Sequence, residues 1–230
     1  METSEKACKL EDKGKSCCGG NSVEGDLNLK NHWDQRYSNS PEESLGWYEK
    51  DLSPSLHLIE KTGIAKNSRI LIVGSGSTTL IDALLDKGHT HLIATDISEV
   101  ALGKLKRRLG ESCVEYITDD LTKPVVLNSI TPVSLWIDRA VLHFFTEKKD
   151  QETYFDLVKK KVQTGGYAMF AEYNLRGATK CAGLPVYHYS EPMLAERLGP
   201  DFQLIESFEY TYTMPSGELR PYLYALYLRN

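Results

Sequence analysis

The stretch Arg69-Ile70-Leu71-Ile72-Val73-Gly74-Ser75-Gly76-Ser77-Thr78-Thr79-Leu80 decides how this chain folds. Four aliphatic residues, Ile70 to Val73, run straight into Gly74-Ser75-Gly76. After the turn, Leu80, Ile81, Leu84 and Leu85 recur on one helical face until Gly88 stops the pattern. The order is strand, tight glycine turn, helix. Glycine at such a turn lets the backbone approach a ligand closely and leaves the first N–H groups of the helix pointing outward. A second apolar run, Leu92 to Thr95, ends in Asp96, about 20 residues past the turn, where a nucleotide-binding sheet carries its ribose-binding carboxylate. A Gly-x-Gly alone is weak evidence; its pairing with Asp96 points to a nucleotide-like ligand.

Downstream the alternation of strand and helix continues. Ser98 is placed to cap a helix that turns Ala101, Leu102, Leu105 and Leu109 inward and leaves Lys104, Lys106, Arg107 and Arg108 as a solvated face. Cys113 to Ile117 reads as a third strand, followed by Asp119 and Asp120, either of which can accept a hydrogen bond from an adenine amino group or cap a turn. Val133 to Ile137 reads as a fourth, leaving through Asp138-Arg139-Ala140-Val141-Leu142-His143-Phe144. There Asp138 either pairs with Arg139 or faces reacting groups, with Val141, His143 and Phe144 shaping a pocket. Thr146 reads as the cap of a helix bearing Tyr154, Leu157, Val158 and Val162; Gly165-Gly166 then turns into the strand Tyr167 to Ala171, closed by Glu172. This regularity predicts an α/β fold with a doubly wound, mostly parallel sheet.

The long segment Asn174 to Tyr189 breaks the pattern at the ligand edge, which makes Cys181, Tyr187 and His188 candidate substrate contacts. Ser190 caps a last helix, and two β-rich runs around Pro215-Ser216-Gly217 read as a terminal antiparallel hairpin, with its tyrosines in the core and on its faces. Upstream, residues 1–28 are rich in Lys, Glu, Ser and Gly and predict a disordered tail holding Cys8, Cys17 and Cys18, which complete no zinc spacing. His32 to Tyr37 and Leu45-Gly46-Trp47-Tyr48 supply aromatics to cover the sheet edge or the ligand, and Ser53-Pro54 opens a short helix before the glycine-turn strand.

Length and composition bound the functions. A chain of 230 residues supports one sizeable domain, here residues 29–230, and a net charge of −5 without a basic stripe argues against nucleic acid or anionic membrane as a partner. An N-terminus charged where a signal peptide is apolar, with no bilayer-length apolar run, points to the cytosol, and five cysteines, an odd count, imply no disulfide framework.

From Asn31 onward, the glycine turn at 74–76, Asp96, Asp120 and the terminal hairpin resemble the class I S-adenosylmethionine-dependent methyltransferases. That resemblance implies a Rossmann-like, seven-stranded sheet whose antiparallel last strand is inserted beside the fifth. Leu135-Trp136-Ile137-Asp138-Arg139-Ala140, and Gly183-Leu184-Pro185-Val186 with Tyr189, are similar to small-molecule enzymes of the thiopurine S-methyltransferase kind. His32 to Tyr37 and Asp96-Ile97-Ser98 are similar to methyltransferase-like proteins that modify lysines. Two positions depart from the pattern: Ile72 stands where members carry an acidic residue that contacts the cofactor's amino group, and Thr78 stands about where they carry a third glycine.

The resemblance implies S-adenosylmethionine as cofactor, held by Trp33, Tyr37, Trp47, Gly74, Ser75, Gly76, Asp96, Ile97, Asp120, Leu121 and Asp138, with Asp138, His143 or His188 assisting transfer and no metal. The expected acceptor is a small molecule, a thiol in particular, with a protein lysine as the alternative. A non-catalytic binding module is the rival reading that Ile72 invites. A nicotinamide-dependent oxidoreductase would want glycine at Thr79 and a second domain.

Overall fold

The computed structural model describes residues 28–111 and 113–230, so that the tail expected over 1–28, with its three cysteines, lies outside the described residues except for Asn28. The elements run α1 (Leu29–Asn39), α2 (Ser53–Lys61), β1 (Arg69–Val73), α3 (Leu80–Asp86), β2 (His91–Asp96), α4 (Glu99–Leu109), β3 (Val114–Thr118), β4 (Val133–Arg139), α5 (Lys148–Lys161), β5 (Val162–Tyr173), β6 (Lys180–Cys181), β7 (Leu184–Pro185), α6 (Glu191–Leu198), β8 (Phe202–Thr213) and β9 (Leu219–Arg229). Seven strands form one sheet in the order β3-β2-β1-β4-β5-β9-β8, while β6 and β7 make a small separate hairpin. The first five strands are parallel, and β9 is antiparallel to both β5 and β8. The last strand is therefore inserted beside the fifth.

Alternation along the strands divides the apolar residues between two cores. Leu71 and Val73 of β1 join Trp136, Phe170 and the helices α5 and α6 on one face. Ile70 and Ile72 join Leu135, Ile137 and the helices α2, α3 and α4 on the other. Side chains of period 2 cannot do otherwise once one residue's face is set. The same rule sends Asp138 to the α5 side, beside Trp136, and Arg139 to the α2–α3 side, beside Ile137. The two neighbours expected as a possible ion pair point to opposite faces of the sheet.

Local capping follows the sequence at some helices and not at others. Ser98 accepts the Ala101 N–H at 3.1 Å, as its position before α4 predicts. Thr146 lies one residue too early, Glu147 being the N-cap of α5 with no side-chain bond, and Ser53 is the first residue of α2 rather than its cap. Gly165-Gly166 does not turn the chain into a strand; it lies within β5, where the pairing with β4 shifts register between Val133 and Leu135. Glycine is depleted in strand interiors, so this pair reads as a boundary, and the pairing of β5 with β9 does begin only after it, at Tyr167. No helix among the described residues is long and apolar enough to cross a membrane.

Candidate active site

The sheet order reverses between β1 and β4, which run side by side while their connections leave toward opposite edges. In open parallel sheets a crevice forms outside the strand ends at that point. Here it is a cleft of about 820 Å³, counted out to its open mouth, lined by Gly74 after β1, Thr95, Asp96 and Ile97 at β2, Asp120 and Leu121 after β3, Arg139 and Ala140 at β4, and Cys181. Trp33 and Tyr37 of α1 and Trp47 of the following loop cover it, with Phe144 against Trp33 at 5.0 Å between ring centroids. The Trp47 indole N–H donates to the Tyr37 hydroxyl at 3.0 Å. The aromatic cover is a bonded unit that closes over the glycine turn.

Asp96 ties the turn to the sheet. One carboxylate oxygen accepts the Gly76 N–H at 2.8 Å and the other the Ser98 N–H at 2.8 Å. A carboxylate oxygen has two acceptor sites, so each keeps one for a ligand hydroxyl. Burial pushes Asp96 up to about 6, against the two N–H bonds that favour its ionised form. Gly74 and Gly76 have φ of +51° and +52°. A Cβ on Gly74 would stand 2.1 Å from Val141 Cγ2, and one on Gly76 would stand 2.1 Å from the Tyr37 hydroxyl. Glycine is required at both positions by conformation and by contact.

On the α2–α3 side a second hollow of about 540 Å³ shares Trp47, Gly74 and Arg139 with the first and adds Glu49, Ile72 and Ser75. Arg139 Nε lies 2.7 Å from Glu49 Oε1, Arg139 donates to the Trp47 carbonyl at 3.0 Å, and its guanidinium sits over the Tyr212 and Tyr222 rings at 5.0 and 5.3 Å. Burial lifts Glu49 above its ordinary range despite this partner. Ile72 removes a carboxylate from β1, but Glu49 brings one to the same hollow from the N-terminal segment. Three buried polar atoms around the turn have no partner within the protein: Ser75 Oγ, Thr95 Oγ1 and Arg139 Nη2. Buried donors and acceptors are rarely left unpaired, so these atoms suit a polar ligand with an anionic group.

Of the residues expected to hold a cofactor, Trp33, Tyr37, Trp47, Gly74, Asp96, Ile97, Asp120 and Leu121 line the large cleft, and Ser75 lines the smaller hollow. Gly76 lies beneath Tyr37. Asp120 also serves its own turn, accepting the Thr122 N–H and hydroxyl at 2.8 Å each, while Asp119 accepts the N–H groups of Asp120, Val125 and Leu127. Asp138, His143 and His188 do not open on the cleft. Asp138 is fully buried, accepts the Tyr154 hydroxyl and the Val141 N–H, and is pushed well above the ordinary carboxylate range by burial and by nearby Glu172. His143 is fully buried with Nδ1 2.7 Å from Glu172, and His188 Nε2 lies 3.0 Å from the Ala178 carbonyl. Sequence reasoning missed Glu49, whose only signal is its place beside the aromatic Trp47-Tyr48, and offered Arg139 only Asp138 as a possible partner.

No protein-family profile and no curated protein sequence matches the chain. Solved structures do. A methyltransferase from Anabaena variabilis, dependent on S-adenosylmethionine, superimposes with a TM-score of 0.71 at 14% identity over 88% of this chain and 93% of its own. The fold is that of the S-adenosylmethionine-dependent methyltransferases. The N-methyltransferase NodS of Bradyrhizobium japonicum, solved with S-adenosylhomocysteine, gives 0.65 at 16% over 88% and 98%. The 1,6-didemethyltoxoflavin N1-methyltransferase of Burkholderia thailandensis, solved with its substrate and S-adenosylhomocysteine, gives 0.62 at 18% over 88% and 85%. With this methyltransferase fold, the switch-point cleft and its orphaned polar atoms fit a nucleoside cofactor with an amino-acid tail.

Proposed function

We propose that this protein is an S-adenosylmethionine-dependent methyltransferase acting on a small molecule, with a thiol as acceptor. The observation that carries the reading is the Asp96 carboxylate, fixed by the Gly76 and Ser98 N–H groups and open at the cleft between β2 and β1. Asp96 would hold the ribose hydroxyls, Ile97 and Leu121 would flank the base, and Asp120 would accept its amino group. Ser75 Oγ, Thr95 Oγ1 and the Glu49–Arg139 pair would meet the charged amino-acid end. The cofactor supplies a methyl group already activated on a sulfonium.

The protein's own task is then orientation and exclusion of water. Trp33, Tyr37, Trp47 and Phe144 close the cleft over an acceptor held in line, an arrangement that contributes up to roughly 7 to 11 kcal/mol in favourable cases. A thiol ionises far more readily than a lysine ammonium and needs no strong base to become the nucleophile. A lysine side chain would need an acidic channel, and Asp138 and Glu172, the carboxylates suited to it, are both fully buried behind the cleft. This favours the small-molecule reading and agrees with the resemblance of the Asp138-Arg139 and Gly183-Leu184-Pro185 segments to thiopurine S-methyltransferases.

Incubation with labelled S-adenosylmethionine and parallel panels of aliphatic and aromatic thiols, amines and lysine peptides tests the reading. Transfer to thiols is expected. Transfer confined to lysine peptides would replace the acceptor, and binding without transfer to any panel would support a non-catalytic module.

A further inference from the structure

Two opposite charges stand incompletely bonded in the smaller hollow. Arg139 Nε lies 2.7 Å from Glu49 Oε1, the same oxygen that accepts the Tyr224 hydroxyl at 3.3 Å. Among the described residues no donor meets Glu49 Oε2, and no acceptor meets Arg139 Nη2. Both side chains are at least nine-tenths buried, and a buried charge with a bonding site left open is costly until a ligand fills it. Beside them Ser75 Oγ is buried and also lacks a partner. The one other charged side chain lining the hollow, Glu42, is paired with Arg108 at 3.0 Å.

The anion comes from outside the sheet. Ile72 of β1 pairs with Ile137 of β4, and Arg139 follows two residues on, on the same face, so the strand beside the guanidinium offers it an aliphatic side chain. Glu49 reaches it from the segment before α2, and that segment is held. Thr79 and Tyr212 donate their hydroxyls to the Glu49 and Tyr48 carbonyls, and Arg139 donates to that of Trp47. Three successive carbonyls are tied down, which fixes where the carboxylate is presented. Gly74 and Trp47 line both the hollow and the large cleft, so a ligand whose base lies at Leu121 crosses the bare glycine turn to reach Glu49.

The Glu49–Arg139 pair has no net charge, yet each partner keeps one bonding site. The group that completes both is a zwitterion, its ammonium on Glu49 Oε2 and its carboxylate on Arg139 Nη2 and Ser75 Oγ, closing a ring of alternating charges. We propose that Glu49 and Arg139 close this ring with the α-amino acid of the cofactor, and that Glu49 thereby restricts the cleft to adenosyl ligands with an intact zwitterionic tail, a role that rests on the cofactor reading above. A tail with one charge brings a net charge into a buried hollow that has none, and that desolvation cost offsets its single bond. Such a ligand gains no more than a nucleoside without a tail.

The test is isothermal titration of S-adenosylhomocysteine, its deaminated and decarboxylated analogues, and 5′-methylthioadenosine, which has no amino-acid tail. The wild type should bind S-adenosylhomocysteine at least about 100-fold more tightly than methylthioadenosine, and either one-charge analogue no better than about threefold more tightly. In the double variant Glu49→Gln, Arg139→Met, which strands no buried charge, all four should bind alike, at the wild type's affinity for methylthioadenosine. Methylthioadenosine thus reports that the cleft is folded, and the tail reports the ring; should it fail to bind the double variant, the wild-type series decides alone. Binding of either one-charge analogue to the wild type as tightly as S-adenosylhomocysteine overturns the inference and leaves the cofactor reading standing. So does a preference for S-adenosylhomocysteine that survives in the double variant. Binding of neither S-adenosylhomocysteine nor methylthioadenosine to the wild type overturns the cofactor reading and this one with it.

Discussion

Asp96 accepts the backbone N–H of Gly76 at 2.8 Å, so the end of the second strand and the glycine turn after the first are one bonded unit. Asp96→Asn turns one acceptor into an NH₂ donor facing either the Gly76 or the Ser98 N–H. Leaving a buried N–H unpaired costs about 1 to 3 kcal/mol, to be read as a lower urea midpoint with unchanged slope.

Stability should also fall with rising pH. Asp96 is pushed up to about 6 and Glu172 to about 7, both above the ordinary carboxylate values of the unfolded chain. The folded state therefore binds more protons than the unfolded state across this window. The contribution of these two groups is complete below about pH 4, where both states are protonated, and is lost as pH rises through the two folded values. Urea unfolding of the ligand-free protein should show a loss on the order of 4 kcal/mol between pH 5 and 7.5. A flat or rising profile would exclude it. Asp34, Asp51, Glu60 and Glu206, held below their ordinary range by hydrogen bonds, act only at lower pH.

Gly76→Ala should be far more damaging than Gly63→Ala. Both positions have positive φ, +52° and +60°, but a Cβ at 76 meets the Tyr37 hydroxyl at 2.1 Å and one at 63 meets nothing. Thermal unfolding should show about 1 kcal/mol lost at Gly63, the backbone term, and at least about 2 at Gly76. Displaced Tyr37 would also lose its bond from Trp47, and the cleft its cover.

The Glu49–Arg139 pair gives a double-mutant test. Glu49→Gln leaves a buried guanidinium without its anion and should cost about 3 to 5 kcal/mol. Arg139→Met in the same chain should restore a good part of that, since a fully apolar replacement no longer strands a charge. Strict additivity of the two single changes would contradict the coupling.

Tryptophan fluorescence separates cleft from core. Trp33 and Trp47 line the cleft, whereas Trp136 is fully buried and bonded to Tyr154 at 3.1 Å. S-adenosylhomocysteine should change the emission of the wild type and of Trp136→Phe, and leave that of Trp33→Phe with Trp47→Phe unchanged.

The fold was legible because its signals are local: Ile70 to Val73 before Gly74, Ser98 before a helical stripe, and two β-rich runs around Gly217. The cleft's lining at Gly74, Asp96, Ile97, Asp120 and Leu121 follows from those signals, since strand ends in a parallel sheet share one edge. Pairings across the sheet were not legible. Asp138 and Arg139 are adjacent in sequence yet serve opposite faces, and the carboxylate that meets Arg139 comes from Glu49, far upstream, in a loop without periodicity. His143 reads as a cleft residue because it follows β4, but the short helical turn Leu142–Phe144 carries its ring inward, onto Glu172.

The measurement that bears most directly on the proposed activity is isothermal titration of S-adenosylmethionine and S-adenosylhomocysteine into the wild type and Asp96→Ala, with NADH as control. Both sulfur ligands should bind the wild type, NADH should not, and Asp96→Ala should weaken both by at least about 100-fold, the lower end of what two charge-assisted hydrogen bonds are worth. Failure of both ligands to bind the wild type, or equal binding by Asp96→Ala, would contradict the proposal.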